Sequence, residues 1–165
     1  IDDGCVLISQ HADTTGAPTA CEAAGVPCVG YNIDMTSVAP NTALTSASMD
    51  WGVYYTYAVQ SMIDGTAIDT DWCKGFAEGA DKITSLNDKV VAEGTEEKVK
   101  EVEDAISDGS LHVFDTSTFT VDGKELDTYE KDGTEYISDG YFHESEYGSA
   151  PAFDIAIDGI TSITE

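Results

Sequence analysis

The sequence predicts an α/β fold built on a parallel sheet. Two stretches carry that expectation. Val6-Leu7-Ile8 and Pro27-Cys28-Val29-Gly30-Tyr31-Asn32 are short apolar runs that each end in polar residues. A helix-like stretch lies between them, and strand, helix, strand at this spacing makes a βαβ unit with parallel pairing and a right-handed crossover. In open α/β sheets, ligands sit beyond the carboxyl ends of the strands. The polar endings His11-Ala12-Asp13 and Asn32-Ile33-Asp34 then lie side by side at a candidate binding edge.

The first strand is expected over residues 5–9. Thr14 or Thr15 caps a helix that runs to Ala24, with Pro18 tolerated in its first turn and Gly25 closing it. Its alanines allow close packing on a sheet, and its first amides face the His11-Ala12-Asp13 loop, where they could take a ligand oxygen. The second strand covers residues 26–32, and Ala43-Leu44-Thr45-Ser46 is a third, short one. Asp50 or Ser48 caps the next helix, residues 51–63, which ends at Asp64-Gly65. Trp51, Tyr54, Tyr55, Ala58, Val59, Met62 and Ile63 recur along it at helical spacing, and of the aromatic stripe Trp51, Tyr54 and Tyr55 the tyrosines read as core rather than as a ligand cage.

Residues 72–83 read as a strand or extended connection, and Leu86-Asn87-Asp88 as a turn. Thr95 caps a helix over residues 95–107, with Glu96 and Glu97 at its positive end and Val99, Val102 and Ile106 as its apolar stripe. Leu111-His112-Val113-Phe114 is a short strand that exposes His112. Residues 119–124 form half a hairpin turning at Asp122-Gly123. From Asp127 to Gly148 the chain is polar and tyrosine-rich and reads as a cover, and residues 152–157 alternate apolar with polar.

A chain of 165 residues with 41% hydrophobic content supports a single core. Its 32 acids face 7 bases, all lysine, for a net charge of -25. That balance excludes nucleic-acid binding, which needs clustered cations on phosphates, and it disfavours anionic membranes and phosphorylated ligands. The acid excess reads as solubility in a crowded or salty exterior, with Asp2-Asp3 and Glu96-Glu97 as solvated faces. No apolar run reaches the length of a membrane span. No signal peptide is visible, and the chain reads as a piece of a longer protein. Cys5, Cys21, Cys28 and Cys73 form no Cys-x-x-Cys pair. Buried free thiols are the expectation, with Cys5 and Cys28 on strands and Cys21 on a helix; one disulfide stays open for a secreted protein.

Gln10-His11-Ala12-Asp13, Gly30-Tyr31-Asn32-Ile33-Asp34-Met35, and Leu44-Thr45-Ser46 with Asp50-Trp51-Gly52 together carry a resemblance. So do Gly75-Phe76-Ala77-Glu78-Gly79 and Asp108-Gly109-Ser110-Leu111-His112. The sequence resembles the basic-membrane-protein family of ABC-transporter substrate-binding lipoproteins, which includes purine nucleoside receptors. The resemblance implies a type I periplasmic-binding-protein fold, in which two Rossmann-like lobes close over a ligand. Residues 1–126 correspond to the second lobe and 127–165 to a carboxyl-terminal extension; the first lobe is absent. It also implies no catalysis, no cofactor and no metal, a purine nucleoside or base as ligand, and an ABC permease as partner. The location implied is extracytoplasmic, anchored by a lipidated N-terminus outside this chain.

The ligand-facing positions that carry over are His11, Asp13 and Thr14 in the first loop, Asn32, and Met49. Asn32 stands where the family has an aspartate that bonds ribose hydroxyls or a purine edge, and Met49 where it often has lysine or tryptophan. The helix over residues 51–63 packs on the first lobe in that family, so its apolar face is expected to drive a homodimer here. Two other readings stay open. His11 and Asp13 could serve a hydrolase as acid and base, or the domain could be a structural or sensory one without ligand.

Overall fold

The computed structural model describes residues 1–143, 145–149 and 154–161. Its first sheet has the order β1-β2-β3-β4, formed by Ile8–Ser9, Cys28–Tyr31, Ala43–Met49 and Asp81–Ile83. β1 and β2 are parallel, with Ile8 opposite Cys28, as the βαβ reading requires. β2 and β3 are also parallel, whereas β4 runs antiparallel to the far end of β3.

Helix α1, Gly16–Ala24, crosses between β1 and β2. Gly25 ends it in the left-handed region at φ 69, and its N–H returns to the Cys21 carbonyl. The buried core is small and lies under this unit: Cys21, Cys28, Met35, Ala39 and Ala43, with Ile8 and Val38 packed against it. Small residues bring the layers close. At Gly30 an added Cβ would collide with the Ser46 hydroxyl and sit 2.6 Å from Met35 Cγ, so the β2–β3 spacing depends on glycine there. Glu22 ties α1 to the entry of β3, accepting from the Asn41 N–H at 3.0 Å and the Thr42 hydroxyl at 3.0 Å.

Several expectations need correction. β1 is two residues long rather than five, because it is an edge strand; Val6 is 83% exposed, Leu7 is half exposed, and Cys5 is an exposed loop thiol. β3 is longer than expected because its last residues, Ala47 to Met49, gain β4 as a partner. The stretch 72–83 contributes a 3-10 turn, Phe76–Glu78, before β4. Residues 111–114 make no strand. Helix α3 spans Thr95–Ser107 as expected, but its cap position is Gly94 at φ 83, not Thr95. Cys21 and Cys28 are buried free thiols, and no disulfide forms among the described residues.

Helix α2, Trp51–Asp64, corrects part of another expectation. Asp50 caps it, its carboxylate accepting from the Gly52 N–H at 2.9 Å. Its apolar residues divide between two faces. Tyr54, Tyr57, Ala58 and Ser61 turn inward, and Trp72 packs on Tyr54 and Tyr57 at centroid distances of 5.2 and 6.0 Å. Trp51, Tyr55, Val59, Met62 and Ile63 form an exposed face, with Tyr55 at 61% and Met62 at 73%. Of the tyrosines read as core, Tyr54 turns inward and Tyr55 does not, and the exposed face is the apolar one that the resemblance leaves without its covering lobe.

A second sheet, absent from the sequence reading, follows: β5 Tyr129–Lys131, β6 Thr134–Ser138 and β7 Tyr141–Phe142, all antiparallel. Asp132-Gly133 and Asp139-Gly140 make its turns, with positive φ at all four residues, as two-residue hairpins require. Ile137 and Phe142 are its buried centre. His143 is buried beside them, with Nδ1 2.8 Å from Glu146 and Nε2 3.0 Å from the Ser138 hydroxyl. Residues 119–124 form the expected turn, Val121 bridging Lys124. The alternating stretch 152–157 lies partly outside the described residues.

Candidate ligand site

The carboxyl ends of β1 and β2 release two loops at one sheet edge. β2 stops because Asn32 turns to φ 69, a left-handed conformation that asparagine adopts far more readily than most residues. The backbone is pinned on both sides of the turn. Asn32 N–H donates to the Ala47 carbonyl at 2.7 Å, and the Ser48 hydroxyl donates to the Asn32 carbonyl at 2.7 Å. The Asn32 side chain is thereby aimed across to the first loop, where its amide Nδ2 donates to Asp13 Oδ1 at 3.0 Å. One amide N–H and the amide oxygen remain for a ligand.

His11 lies beside this pair and packs its ring on Tyr31 at 4.4 Å, with 33° between the planes. Thr14 shapes the loop: its hydroxyl accepts from the Gly16 N–H at 3.2 Å, and its carbonyl accepts from Gln10 Nε2 at 3.0 Å. His11, Asp13 and Thr14 are exposed and Asn32 is half-buried. Among the described residues, the Asp13 carboxylate bonds Asn32 and makes no bond to His11, so the two do not form an acid–base dyad. This arrangement presents an amide, a carboxylate, an imidazole and an aromatic ring, which suits hydrogen bonding to a polar ligand.

Met49 ends β3 one residue beyond Ser48, whose hydroxyl bonds the Asn32 carbonyl. Met49 sits opposite Asp81 and lines a cavity with Trp51, Tyr54 and Trp72 that none of His11, Asp13, Thr14 and Asn32 borders. The sequence reading missed Tyr31, Ser48 and Trp72. Tyr31 had a signal, lying inside the run assigned to the second strand next to Asn32; Ser48 fell beyond the third run and was read only as a possible helix cap, and Trp72 had only its acidic flank, Asp69-Thr70-Asp71-Trp72. No group of three or more His, Cys, Asp or Glu side chains among the described residues is arranged to hold a metal ion. No helix among them is long and apolar enough to cross a membrane.

Among solved structures, the chain is similar to an ABC transporter solute-binding protein from Conexibacter woesei, with TM-score 0.50 and 19% identity over 68% of this chain and 38% of that one. It is also similar to a transcriptional activator of the comK gene from Bacillus halodurans, with TM-score 0.60 and 15% identity over 68% of this chain and 40% of that one. At these identities the likeness concerns the fold, which is that of a truncated periplasmic-binding protein. Among curated proteins, a purine-binding protein of Brucella abortus is 33% identical over 132 residues, covering 77% of this chain and 38% of that protein. A protein of Haloferax volcanii named as an ABC transporter glucose-binding protein is 29% identical over 127 residues, covering 76% of this chain and 32% of its own length. The chain thus spans about a third of the length of these curated relatives. The family model of PnrA-like ABC transporter substrate-binding proteins, Bmp, matches residues 1–112, and the chain belongs to that family.

Proposed function

We propose that this chain is part of an extracytoplasmic receptor that binds a purine nucleoside or base and delivers it to an ABC permease. The observation that carries the reading is the Asn32–Asp13 pair, 3.0 Å apart at the carboxyl ends of two parallel strands, with the His11–Tyr31 rings beside it. An amide and a carboxylate offer donor and acceptor to ribose hydroxyls or to a purine edge, and a ring pair offers a stacking surface. The purine-binding relative supports this ligand class. The relative named for glucose supports a second reading, a sugar held by the same polar groups without stacking. Residues 1–126 act as one ligand-facing lobe and 127–165 as an extension, the full-length protein is held at the membrane by a lipidated N-terminus, and there is no catalytic step.

Taken by itself, the 165-residue chain pairs with a second copy through α2. The only charged residue of that helix is Asp64, so all but one unit of the net charge of -25 is carried elsewhere and opposes contact there least. Salt screens the remaining repulsion beyond about 10 Å.

A thermal-shift screen of the full-length protein tests the ligand class. Adenosine, guanosine, inosine, adenine and glucose are compared at equal concentration. A ligand at a hundred times its dissociation constant adds about 2.7 kcal/mol of stability. A shift with purines and none with glucose is expected; a shift with glucose alone moves the assignment to sugars, and no shift removes it.

A further inference from the structure

A cavity of about 390 Å³ opens where α2 begins, beside the paired ends of β3 and β4. Its volume falls in the range of small-molecule sites. Both tryptophans of the chain, Trp51 and Trp72, line it together with Tyr54. The Trp72 ring is held in place: Tyr54 meets it edge-on at 62° and Tyr57 stacks on it at 26°.

The charge of the wall is one-sided. Asp50, Asp69, Asp71 and Asp81 line it against a single lysine, Lys74. Lys74 pairs with Glu78 at 3.5 Å, and Asp50 pairs with Lys82 at 3.0 Å. Asp69, Asp71 and Asp81 have no cationic partner among the described residues. Asp71 accepts from the Ser149 N–H at 3.0 Å, which fixes it at the rim. The Asp81 carboxylate, on an exposed residue at the cavity wall, has no hydrogen-bond or ionic partner among the described residues. Carboxylates without a counter-charge attract a cation brought beside them, and aromatic faces attract cations as well.

We propose that this cavity binds an organic cation, an alkyl- or quaternary ammonium, against Trp51 and Trp72 with Asp81 as its counter-charge. A neutral sugar would use the rings but leave the carboxylates uncompensated. A bare metal ion needs oxygens that converge, and among the described residues no such group exists. Phosphorylated ligands meet like charge. Of the ligand-facing positions carried over from the family, Met49 lines the cavity and His11, Asp13, Thr14 and Asn32 do not, so the proposal uses none of the strand-edge groups of the purine reading.

Because the two tryptophans are the only ones in the chain, emission reports the cavity directly. The 165-residue chain is titrated with choline chloride at constant ionic strength, and the heat of binding is measured in parallel. A saturable response is expected, at least about tenfold weaker for the neutral isostere 3,3-dimethyl-1-butanol. Asp81→Asn should weaken choline by at least about tenfold with an unchanged far-ultraviolet circular dichroism spectrum. Trp51→Leu should weaken it too and serves as a second variant, because Trp51 is 55% exposed and supports no core. Asn32→Gly should leave choline binding unchanged, which separates this site from the strand edge. No saturable response, equal affinity for the neutral isostere, glucose binding in place of choline, or full affinity in both Asp81→Asn and Trp51→Leu would each overturn the proposal.

Discussion

Replacing Gly30 by alanine puts one methyl group into the tightest contact of the first sheet. The new Cβ would overlap the Ser46 hydroxyl and stand 2.6 Å from Met35 Cγ and 3.3 Å from Met35 Cβ. Favourable contact between carbon atoms begins near 3.5 Å. Neither neighbour can retreat into water, since Ser46 is 0% and Met35 2% exposed. Overpacking of this kind costs about 1–3 kcal/mol, a large share of the roughly 5–15 kcal/mol that holds a typical domain folded. With a urea dependence of about 1–3 kcal/mol per M, the unfolding midpoint should fall by roughly 1 M. The assay is urea denaturation of the 165-residue chain followed by circular dichroism. Ser46→Ala supplies the cross-check. Among the described residues the buried Ser46 hydroxyl has no hydrogen-bond partner, so its removal alone should be nearly neutral. In that background the alanine at position 30 meets only Met35, and its penalty should shrink, giving a measurable coupling between the two sites. An unchanged midpoint for Gly30→Ala, or the same penalty in both backgrounds, would refute the reasoning.

Two further outcomes are expected. Desolvation pushes the Glu22 carboxyl up, but bonds from Asn41 and Thr42 outweigh it and hold the carboxyl below its ordinary value of 4.5. Its contribution is thus fully present above pH 4.5 and fades as the pH falls through the lower folded-state value. Glu22→Gln should lower stability at neutral pH, and the gap to wild type should close in acid; a pH-independent gap in thermal unfolding would contradict this. Light scattering of the 165-residue chain at moderate salt should give a dimer mass that Val59→Glu, on the exposed face of α2, returns to monomer; a concentration-independent monomer mass for wild type would rule the interface out.

The βαβ unit was legible because its signals agree. The apolar runs, Gly25 at the helix end and the polar strand endings all point to one topology, and the structure has it. The polar cluster of the edge was legible for the same reason, since parallel neighbours bring their endings together; what was not legible is that Asn32 takes φ 69, which aims its amide at Asp13. β1 was overextended because apolarity alone does not say whether a strand has a cover, and Val6 and Leu7 have none. On α2 the core reading holds for Tyr54 and fails for Tyr55 for a related reason: helical periodicity marks apolar positions but not which of two apolar faces is covered. The second sheet was missed although its signal was present. Asp132-Gly133 and Asp139-Gly140 separate short runs rich in tyrosine and isoleucine, a hairpin pattern hidden by the acidic residues on the open face. Met49 was taken as ligand-facing from the resemblance alone; what was not legible is that antiparallel β4 pairs with the end of β3, so that Met49 lines the aromatic cavity.

The central claim is that the strand edge around Asn32 and Asp13 receives a purine. Calorimetric titration of the full-length protein with adenosine and guanosine, beside the Asn32→Gly variant, tests it most directly. Glycine keeps the positive φ at this position without strain and deletes only the amide, so the fold is preserved while the Asp13 partner is lost. Saturable one-to-one binding by wild type is expected, with the variant weaker by about 1–3 kcal/mol, roughly five- to 150-fold, because a ligand group is left buried and unpaired. No heat with either nucleoside, or equal affinity in wild type and Asn32→Gly, would contradict it.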